Sequence, residues 1–249
     1  LMKIVYIITR LDEFGGAQIH IRDLALYARN QGHEVVVLSG MPGKVSELLA
    51  HEAIPYYAVA PLQRAIHPLR DIRAVFGIAR HLKAIDPDIV SCHSAKARIV
   101  GGLAARLCGI RQVIATSHGW SFTEGIPPRR AAFYRLVEKM AAALFFSQVI
   151  TVCEYDRQLA LKNGIAPADK VTTVHNGMPW IEAPSRVAGD HDGAVRLVMV
   201  ARFAPQKDHE TLLRALAGLT DINWRLDLIG NGDDMSVREI AAAHSIDER

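Results

Sequence analysis

Short runs of hydrophobic residues alternate with longer amphipathic stretches along most of the chain. The first run, residues 3–9, is mostly β-branched and is followed by a glycine pair, helical spacing of apolar residues over 17–31, and a second apolar run at 34–39. Continuous apolar runs are typical of strands that are buried on both faces of a parallel sheet. The order strand, helix, strand predicts a βαβ unit with a right-handed crossover.

The same alternation continues to residue 174. The predicted strands are 3–9, 34–39, 55–59, 88–92, 112–116, 149–152 and 171–174. The predicted helices are 17–31, 45–53, 68–85, 96–107, 129–146 and 154–162. Two helices carry large apolar residues on one side at helical spacing, namely Leu69, Ile72, Phe76 and Leu82, and Phe133, Leu136, Met140 and Leu144. Such stripes predict core-facing sides, and the whole pattern predicts a doubly wound α/β domain.

A change in composition divides the chain after this domain. The stretch 179–193 is rich in Pro, Gly and Asp and has no sustained period, which predicts a linker. Strands at 195–200 and 224–229 and helices at 208–219 and 235–244 then form two βα units of a second Rossmann-like domain. The predicted organisation is therefore a domain at 1–180, a linker at 181–193, and the beginning of a second domain at 194–249. Because two parallel strands cannot bury both faces of a sheet, we expect this second domain to be incomplete.

Composition excludes several classes of protein. Half of the 249 residues are hydrophobic, which excludes a mainly disordered chain, and the formal charge of +3 is too small for a dedicated nucleic-acid binder. The three cysteines, Cys92, Cys108 and Cys153, fit neither a disulfide framework nor a zinc spacing. No apolar run approaches the roughly 18 residues of a spanning helix, and no signal-peptide pattern is present. We therefore expect a cytoplasmic protein with no nucleic-acid partner.

Candidate binding residues follow three of the predicted strands, because ligands of open α/β sheets bind at the carboxyl ends of the strands. Gly15 and Gly16 would let a backbone approach an anion at a helix N-terminus, although a tight turn explains them equally well. His93 and the pair His118-Gly119 could converge on a sugar or a leaving group, although each histidine alone is more often a loop residue. The glycines lack the G-x-G-x-x-G spacing, and no acidic residue ends the second strand, so a dinucleotide dehydrogenase is disfavoured.

The second domain has its own candidates. Arg202 and Lys207 lie ahead of a helix, where a guanidinium fork and a point charge could hold a diphosphate from two sides. The alternative is two solvated charges. Gly230, Asn231 and Gly232 end the next strand with little side-chain bulk, so a base or a ribose could lie against them, although such turns are common.

Metal sites are poorly supported by the sequence. Asp86 and Asp88 could hold a divalent cation, but they precede a strand, and Pro87 makes a turn the simpler explanation. Cys92 and His93 with Cys153 lack a zinc spacing.

Several of these motifs together resemble a known family. Gly15-Gly16, His118-Gly119, Asn176-Gly177 and the loop from Arg202 to Lys207 occur in the order found in group 1, family 4-like retaining glycosyltransferases of GT-B fold. The resemblance runs from Met2 to the end of the chain. It implies transfer of a sugar from a nucleotide-diphosphate sugar to an acceptor with retention, without a cofactor or an essential metal. The segments around His93 and His118 further resemble members that build cell-surface polysaccharide on lipid-linked acceptors.

The resemblance also implies roles for individual residues. Arg202 and Lys207 would hold the donor diphosphate and stabilise charge on the leaving group, and His118 would lie beside the donor sugar. The implied catalytic residues are His118, Arg202 and Lys207, and the implied substrate-binding residues are Gly15, Gly16, His93, Gly119, Gly230, Asn231 and Gly232. One motif of the family is absent, because no two glutamates of the chain have the E-x7-E spacing. We therefore expect an N-terminal piece that is inactive alone.

Three further hypotheses come from the sequence. A nucleotide-sugar epimerase shares the GT-B fold, and a non-catalytic nucleotide-binding module would use the same charged loop. The helix at 129–146 combines Phe133 and Tyr134 with basic residues, namely Arg129, Arg130, Arg135 and Lys139. It could seat the protein on anionic lipid at the inner membrane face, although an ordinary core helix with a basic outer face is the favoured interpretation.

Overall fold

The chain forms two compact units, Leu1–Pro179 and Trp180–Arg249. A computed structural model describes residues 1–123, 125–178, 180, 182 and 193–247. The predicted linker, 181–193, lies outside the described residues except for Glu182 and Gly193.

The first unit is built on a seven-stranded sheet in which every neighbouring pair is parallel. The strands are β1 (Lys3–Arg10), β2 (Glu34–Met41), β3 (Tyr56–Ala58), β4 (Ile89–His93), β5 (Gln112–Ser117), β6 (Gln148–Thr151) and β7 (Val171–Thr173). Their spatial order is β3-β2-β1-β4-β5-β6-β7, so the chain leaves β1 in one direction and later fills the other side. This topology confirms the predicted doubly wound α/β class.

Helices cover both faces of this sheet. They are α1 (Gly16–Asn30), α2 (Lys44–His51), α3 (Pro68–Ile85), α4 (Ala95–Leu107), α5 (Pro128–Leu144) and α6 (Glu154–Lys162). Strand β1 separates two apolar clusters, because Ile4, Tyr6 and Ile8 pack with α1 and α2, whereas Val5 and Ile7 belong to the cluster on the side of α3 to α6. The continuous apolar run in the sequence is thus explained by burial on both faces.

Helix α4 approaches the centre of the sheet closely because two of its residues are glycines. A Cβ atom on Gly101 would lie 3.0 Å from Sγ of Cys92 and 3.2 Å from a methyl carbon of Ile7. A Cβ atom on Gly102 would lie 2.8 Å from the ring of Phe146. Larger residues at these positions would push the helix away from the sheet.

The predicted core-facing side of α5 is wrong, and that of α3 is wrong except for Leu82, which is 1% exposed. The four large apolar residues of α5, from Phe133 to Leu144, are 53% to 61% exposed, and Leu69, Ile72 and Phe76 of α3 are 54% to 66% exposed. Apart from Glu138, the side of α5 that faces the core carries only alanines, namely Ala131, Ala141 and Ala142. The side of α3 that faces the core combines two alanines with larger aliphatic residues, namely Ala74, Val75, Ile78, Ala79 and Leu82. Alanine fits there because the helices pack close to the sheet and to each other.

A charged pair is buried between α4 and α5. Arg98 and Glu138 are 1% and 3% exposed, and the guanidinium donates to both carboxylate oxygens. Arg98 also donates to the carbonyl of Thr116 at 3.3 Å and lies 5.4 Å above the Trp120 ring, while Ser121 donates to Glu138 at 3.4 Å. The pair therefore joins two helices to the segment that follows β5. Such a network compensates the cost of removing two charges from water.

The second unit is smaller. It contains β8 (Val195–Val200) parallel to β9 (Trp224–Ile229), with α7 (His209–Ala217) and α8 (Met235–Ala243). Its core consists of Leu213, Leu216, Trp224 and Ile246. The prediction that 195–200 is a buried strand is wrong in part, because Val198 and Val200 are 63% and 76% exposed. In the described part of this unit, the core packs against one face of the sheet only.

We expect the variant Glu138→Gln to destabilise the chain by about 3 to 5 kcal/mol, because it leaves the Arg98 charge buried without its partner. The measurement is chemical denaturation followed by circular dichroism. Lys3→Ala is the control, because the Lys3–Glu34 ion pair is long, at 3.8 Å, and well exposed, so that its loss should hardly change stability. Equal stabilities of Glu138→Gln and the parent would contradict this assignment.

Candidate active site

The carboxyl ends of β1, β4 and β5 meet at one edge of the sheet, because β4 pairs with both neighbours. The chain passes from β1 through Gly15 into α1, from β4 at His93 into α4, and from β5 at Ser117 into the loop that carries His118. A hydrogen bond of 2.6 Å between the hydroxyls of Thr9 and Ser94 ties the ends of β1 and β4 together.

Three histidines form a cluster at this edge. Nδ1 of His93 lies 3.1 Å from Nε2 of His118, and the two rings are stacked with centroids 5.4 Å apart. His20, on the second turn of α1, places its ring 5.2 Å from that of His118 and 5.9 Å from that of His93. The structure therefore brings together two histidines that the sequence singled out and a third that it did not.

His93 lies at the base of the cluster. Its side chain is fully buried, and its second ring nitrogen, Nε2, is 3.0 Å from Oγ of Ser91. The ring of Tyr6 packs 5.9 Å away. Because both ring nitrogens are engaged inside the protein, this geometry favours a role in orienting His118 over the direct substrate contact that the sequence predicts.

The surroundings keep the three imidazoles neutral. Burial lowers the pKa of His118 to about 4, with repulsion from His20 and Arg98 as smaller causes. Burial likewise lowers the pKa of His93 far below its usual range, and the positive charges that could form on His118 and His20 act in the same direction. The pKa of His20 is lowered by burial and partly restored by Asp23. At neutral pH the cluster can therefore exchange hydrogen bonds but supplies no positive charge.

His118 is the member that can meet a ligand. Its Nε2 is occupied by His93, and Nδ1 has no hydrogen-bond partner among the residues that the structure describes. In a neutral imidazole one nitrogen donates and the other accepts, so the direction of the bond to His93 decides what Nδ1 offers. His118 can thus donate a hydrogen bond to a sugar hydroxyl or accept one from it.

The glycines next to the cluster differ in what the fold requires of them. Gly119 has φ +115°, a conformation that residues with a side chain rarely adopt. At Gly16 an added Cβ atom would contact nothing within 4 Å, and at Gly15 it would meet only the flexible amide of Gln18. The protein leaves open space above Gly16, whereas the Gln18 side chain occupies the space above Gly15.

Sequence reasoning missed His20, Ser91 and Arg98. His20 lies four residues after Gly16, one helical turn along α1, and this spacing is the signal that could have placed it at the same edge. Ser91 lies two residues before His93 in β4, so both side chains point to the same face of the sheet. Arg98 carries no comparable signal, because a basic residue in a helix is ordinarily solvated.

The candidates of the second unit lie between β8 and α7 and after β9. Arg202 and Lys207 are both exposed, and neither forms an ion pair with a described residue. Gly230 and Gly232 have a structural explanation, because an added Cβ atom would lie 1.8 Å from the carbonyl oxygen of Ala201 or 2.5 Å from that of Phe203. Asn231 is exposed, and its carbonyl accepts a hydrogen bond from the Phe203 amide.

Among the described residues, the histidine cluster is also the one group whose ligating atoms, within 4.8 Å of one another, could hold a metal ion. Asp88 instead accepts a hydrogen bond from the Lys3 amide at 2.7 Å, and Asp86 ends α3 in a left-handed conformation. Burial raises the pKa of the Cys92 thiol to about 12, which disfavours a thiolate ligand. The absence of an essential metal stays a prediction.

The pH dependence of stability tests the electrostatics of the cluster. An unfolded histidine binds its proton near pH 6.5, whereas folded His118 does so only near pH 4. The contribution of neutral His118 to the free energy of unfolding is therefore complete above about pH 6.5. This free energy falls by about 2 to 3 kcal/mol as the pH decreases towards 4. Denaturation curves across this range should show a shallower decline for His118→Gln. The control His51→Gln, on α2, should decline like the parent, and an unchanged slope in His118→Gln would contradict the assignment.

A curated relative is similar to most of the chain. The Escherichia coli enzyme UDP-Gal:alpha-D-GlcNAc-diphosphoundecaprenol alpha-1,3-galactosyltransferase is 24% identical over 220 residues, which cover 83% of this chain and 56% of that enzyme. The chain thus spans little more than half the length of this relative.

Solved structures show the same fold over the whole chain. Anabaena Alr3699/HepE in complex with UDP and glucose matches with a TM-score of 0.80 and 18% identity, covering 100% of this chain and 68% of that one. The lipopolysaccharide outer core galactosyltransferase WaaB matches with a TM-score of 0.70 and 19% identity, covering 100% and 66%. A Listeria monocytogenes protein assigned as a UDP-N-acetylglucosamine 2-epimerase matches with a TM-score of 0.64 and 16% identity, covering 98% of this chain and 66% of that one. The neighbours confirm the predicted GT-B architecture of two Rossmann-like units.

The family model that describes Glycosyltransferase Family 4 matches residues 14–179, from the glycine pair to the end of the first unit. This range contains the glycine pair, the three histidines and the buried Arg98–Glu138 pair, and it is about two thirds of the chain. The chain therefore belongs to Glycosyltransferase Family 4.

Proposed function

We propose that the chain is the acceptor-side domain, with the beginning of the donor-side domain, of a retaining glycosyltransferase that uses a nucleotide-diphosphate sugar. The observation that carries the proposal is the neutral histidine cluster at the carboxyl edge of the sheet, on the elements that also carry Gly16 and the open space above it. A ligand with many hydroxyl groups needs hydrogen-bond donors and acceptors without fixed charge. Nδ1 of His118 offers one such group, which donates or accepts according to the tautomer. Retention, and inactivity of the 249-residue chain alone, are proposed on the family resemblance.

In this proposal the two units divide the chemistry. His118 binds a hydroxyl of the transferred sugar, and His93 with Ser91 orients its ring. Arg202 and Lys207 hold the diphosphate and stabilise the charge that develops when the glycosidic bond breaks. The space above Gly16 admits the reacting groups.

The relatives support particular substrate classes. The E. coli relative is named as an enzyme with UDP-galactose as donor and a diphosphoundecaprenol-linked sugar as acceptor, and HepE was solved with UDP and glucose. We propose a UDP-sugar as donor and a polyprenyl-diphosphate-linked saccharide as acceptor, in the synthesis of a cell-surface polysaccharide. Since such an acceptor is embedded in lipid, we propose that the protein works at the cytoplasmic face of a membrane. No helix of the described residues is long and apolar enough to cross it.

A nucleotide-sugar epimerase is the second candidate, favoured by the structural match to the Listeria protein. The two functions differ in what is required for turnover, because an epimerase converts the donor sugar without an acceptor.

Transfer is tested with the full-length protein, UDP-sugars, and a polyprenyl-diphosphate-linked N-acetylglucosamine, with product mass measured in the presence and absence of EDTA. We expect the acceptor to gain one hexose mass in both cases, and His118→Ala to lower kcat/KM by about a hundredfold. An isomerised donor in the absence of acceptor would instead identify an epimerase. Loss of activity with EDTA would contradict the metal-independent reaction.

Nucleotide binding tests the charged loop. Arg202→Ala combined with Lys207→Ala should weaken the affinity for UDP by about a hundredfold or more, because each side chain makes a charge-assisted hydrogen bond. Isothermal titration calorimetry measures this loss. The control is Arg214→Ala combined with Arg238→Ala, which removes the same charge from two exposed helix positions of the same unit. Equal affinities of the two double variants would contradict the role of the loop.

A further inference from the structure

Helices α3, α4 and α5 form one continuous layer, with α4 in the middle and packed against both neighbours. We call the solvent-facing surface of this layer the outer helical face. It carries the exposed apolar residues of α3 and α5 described above, together with Leu103 and Leu107 of α4, which are 36% and 59% exposed. Large apolar side chains that recur across three adjacent helices form a patch of the kind that marks an interaction surface.

The charges on this layer have one sign. The three helices contain two acidic residues, and both are neutralised, because Asp71 pairs with Lys96 at 2.6 Å and Glu138 is buried against Arg98. Every other residue of the three helices that is charged at neutral pH is Arg or Lys. On α5 the exposed basic residues Arg130 and Lys139 lie on either side of the apolar stripe.

The opposite side of the sheet has a different character. Helices α1 and α2 mix both signs of charge, as in the ion pairs of Arg22 with Asp23 and Glu52. Tyr27 is the large apolar residue that they expose, at 67%. The combination of apolar and purely basic surface is therefore a property of the outer helical face.

We propose that the outer helical face docks on an anionic lipid bilayer, with the apolar side chains at the headgroup boundary and the Arg and Lys side chains on the lipid phosphates. The basic charge of the outer helical face favours a lipid bilayer over a second copy of the chain as its partner, because a symmetric contact between two copies would bring like charges together. The purpose of the docking rests on the proposed lipid-linked acceptor, but the binding itself does not. Helix α5 begins ten residues after His118, so the docked face and the candidate site lie on neighbouring segments.

Sedimentation with vesicles tests the proposal without nucleotide or acceptor. The purified chain should bind vesicles of mixed phosphatidylcholine and phosphatidylglycerol and not vesicles of phosphatidylcholine alone, and added salt should weaken the binding. Lys139→Glu should lower the affinity about fivefold or more. Phe133→Ser combined with Leu136→Ser should lower it about tenfold or more.

Two matched controls come from the other side of the sheet. Lys44→Glu, at an exposed position of α2, makes the same charge change, and Tyr27→Ser removes an equally exposed apolar residue; both should bind like the parent. Absence of binding, equal binding to neutral vesicles, or equal effects of test and control variants would overturn the proposal. A different outcome is that the parent chain forms a dimer and fails to bind lipid, whereas the double variant Phe133→Ser and Leu136→Ser is monomeric. That outcome would assign the face to a second copy of the chain. A protein that binds vesicles but transfers no sugar would refute the proposed function alone.

Discussion

The buried pair of Arg98 and Glu138 is the interaction on which the site depends. It lies where α4, α5 and the end of β5 meet, and the additional bonds to Thr116 and Ser121 compensate its desolvation. The segment that it holds carries His118 and Gly119. The same guanidinium contributes to keeping the imidazoles uncharged. The pair thus positions the loop that carries His118, and its guanidinium adds to the larger effect of burial on the pKa of His93 and His118.

The sequence predicted the fold class well, because strands such as β1 and β4 are buried on both faces and leave an unmistakable apolar run. It predicted His93 and His118 for the same reason, since topology places strand ends at one edge. His20 was missed because it lies inside a helix, and its one signal, the spacing of one turn from Gly16, was not used. The outward side chains Phe133 and Met140 were misassigned because apolar periodicity marks a stripe without saying which stripe is buried. Which side of a helix is buried depends on how closely the helix packs against its neighbours, and the buried side of α5 carries alanines.

The two units contribute opposite kinds of polar chemistry. The first places three neutral imidazoles in a largely desolvated position, where hydrogen bonds select hydroxyl groups by geometry. In the proposed function, the second supplies Arg202 and Lys207, whose exposed charges bind phosphate. In that function, this difference suits a ligand with a carbohydrate part and an anionic part.

The glycine pair of α4 has a consequence for how this sequence can evolve. Because a Cβ atom on residue 101 would meet Cys92 and Ile7, the volumes at these three positions are coupled. A side chain gained at 101 requires a smaller one in β1 or β4, or else the helix moves outward and Arg98 no longer reaches Glu138. Positions 7, 92 and 101 should therefore change together among descendants of this chain, although none of them can touch a substrate.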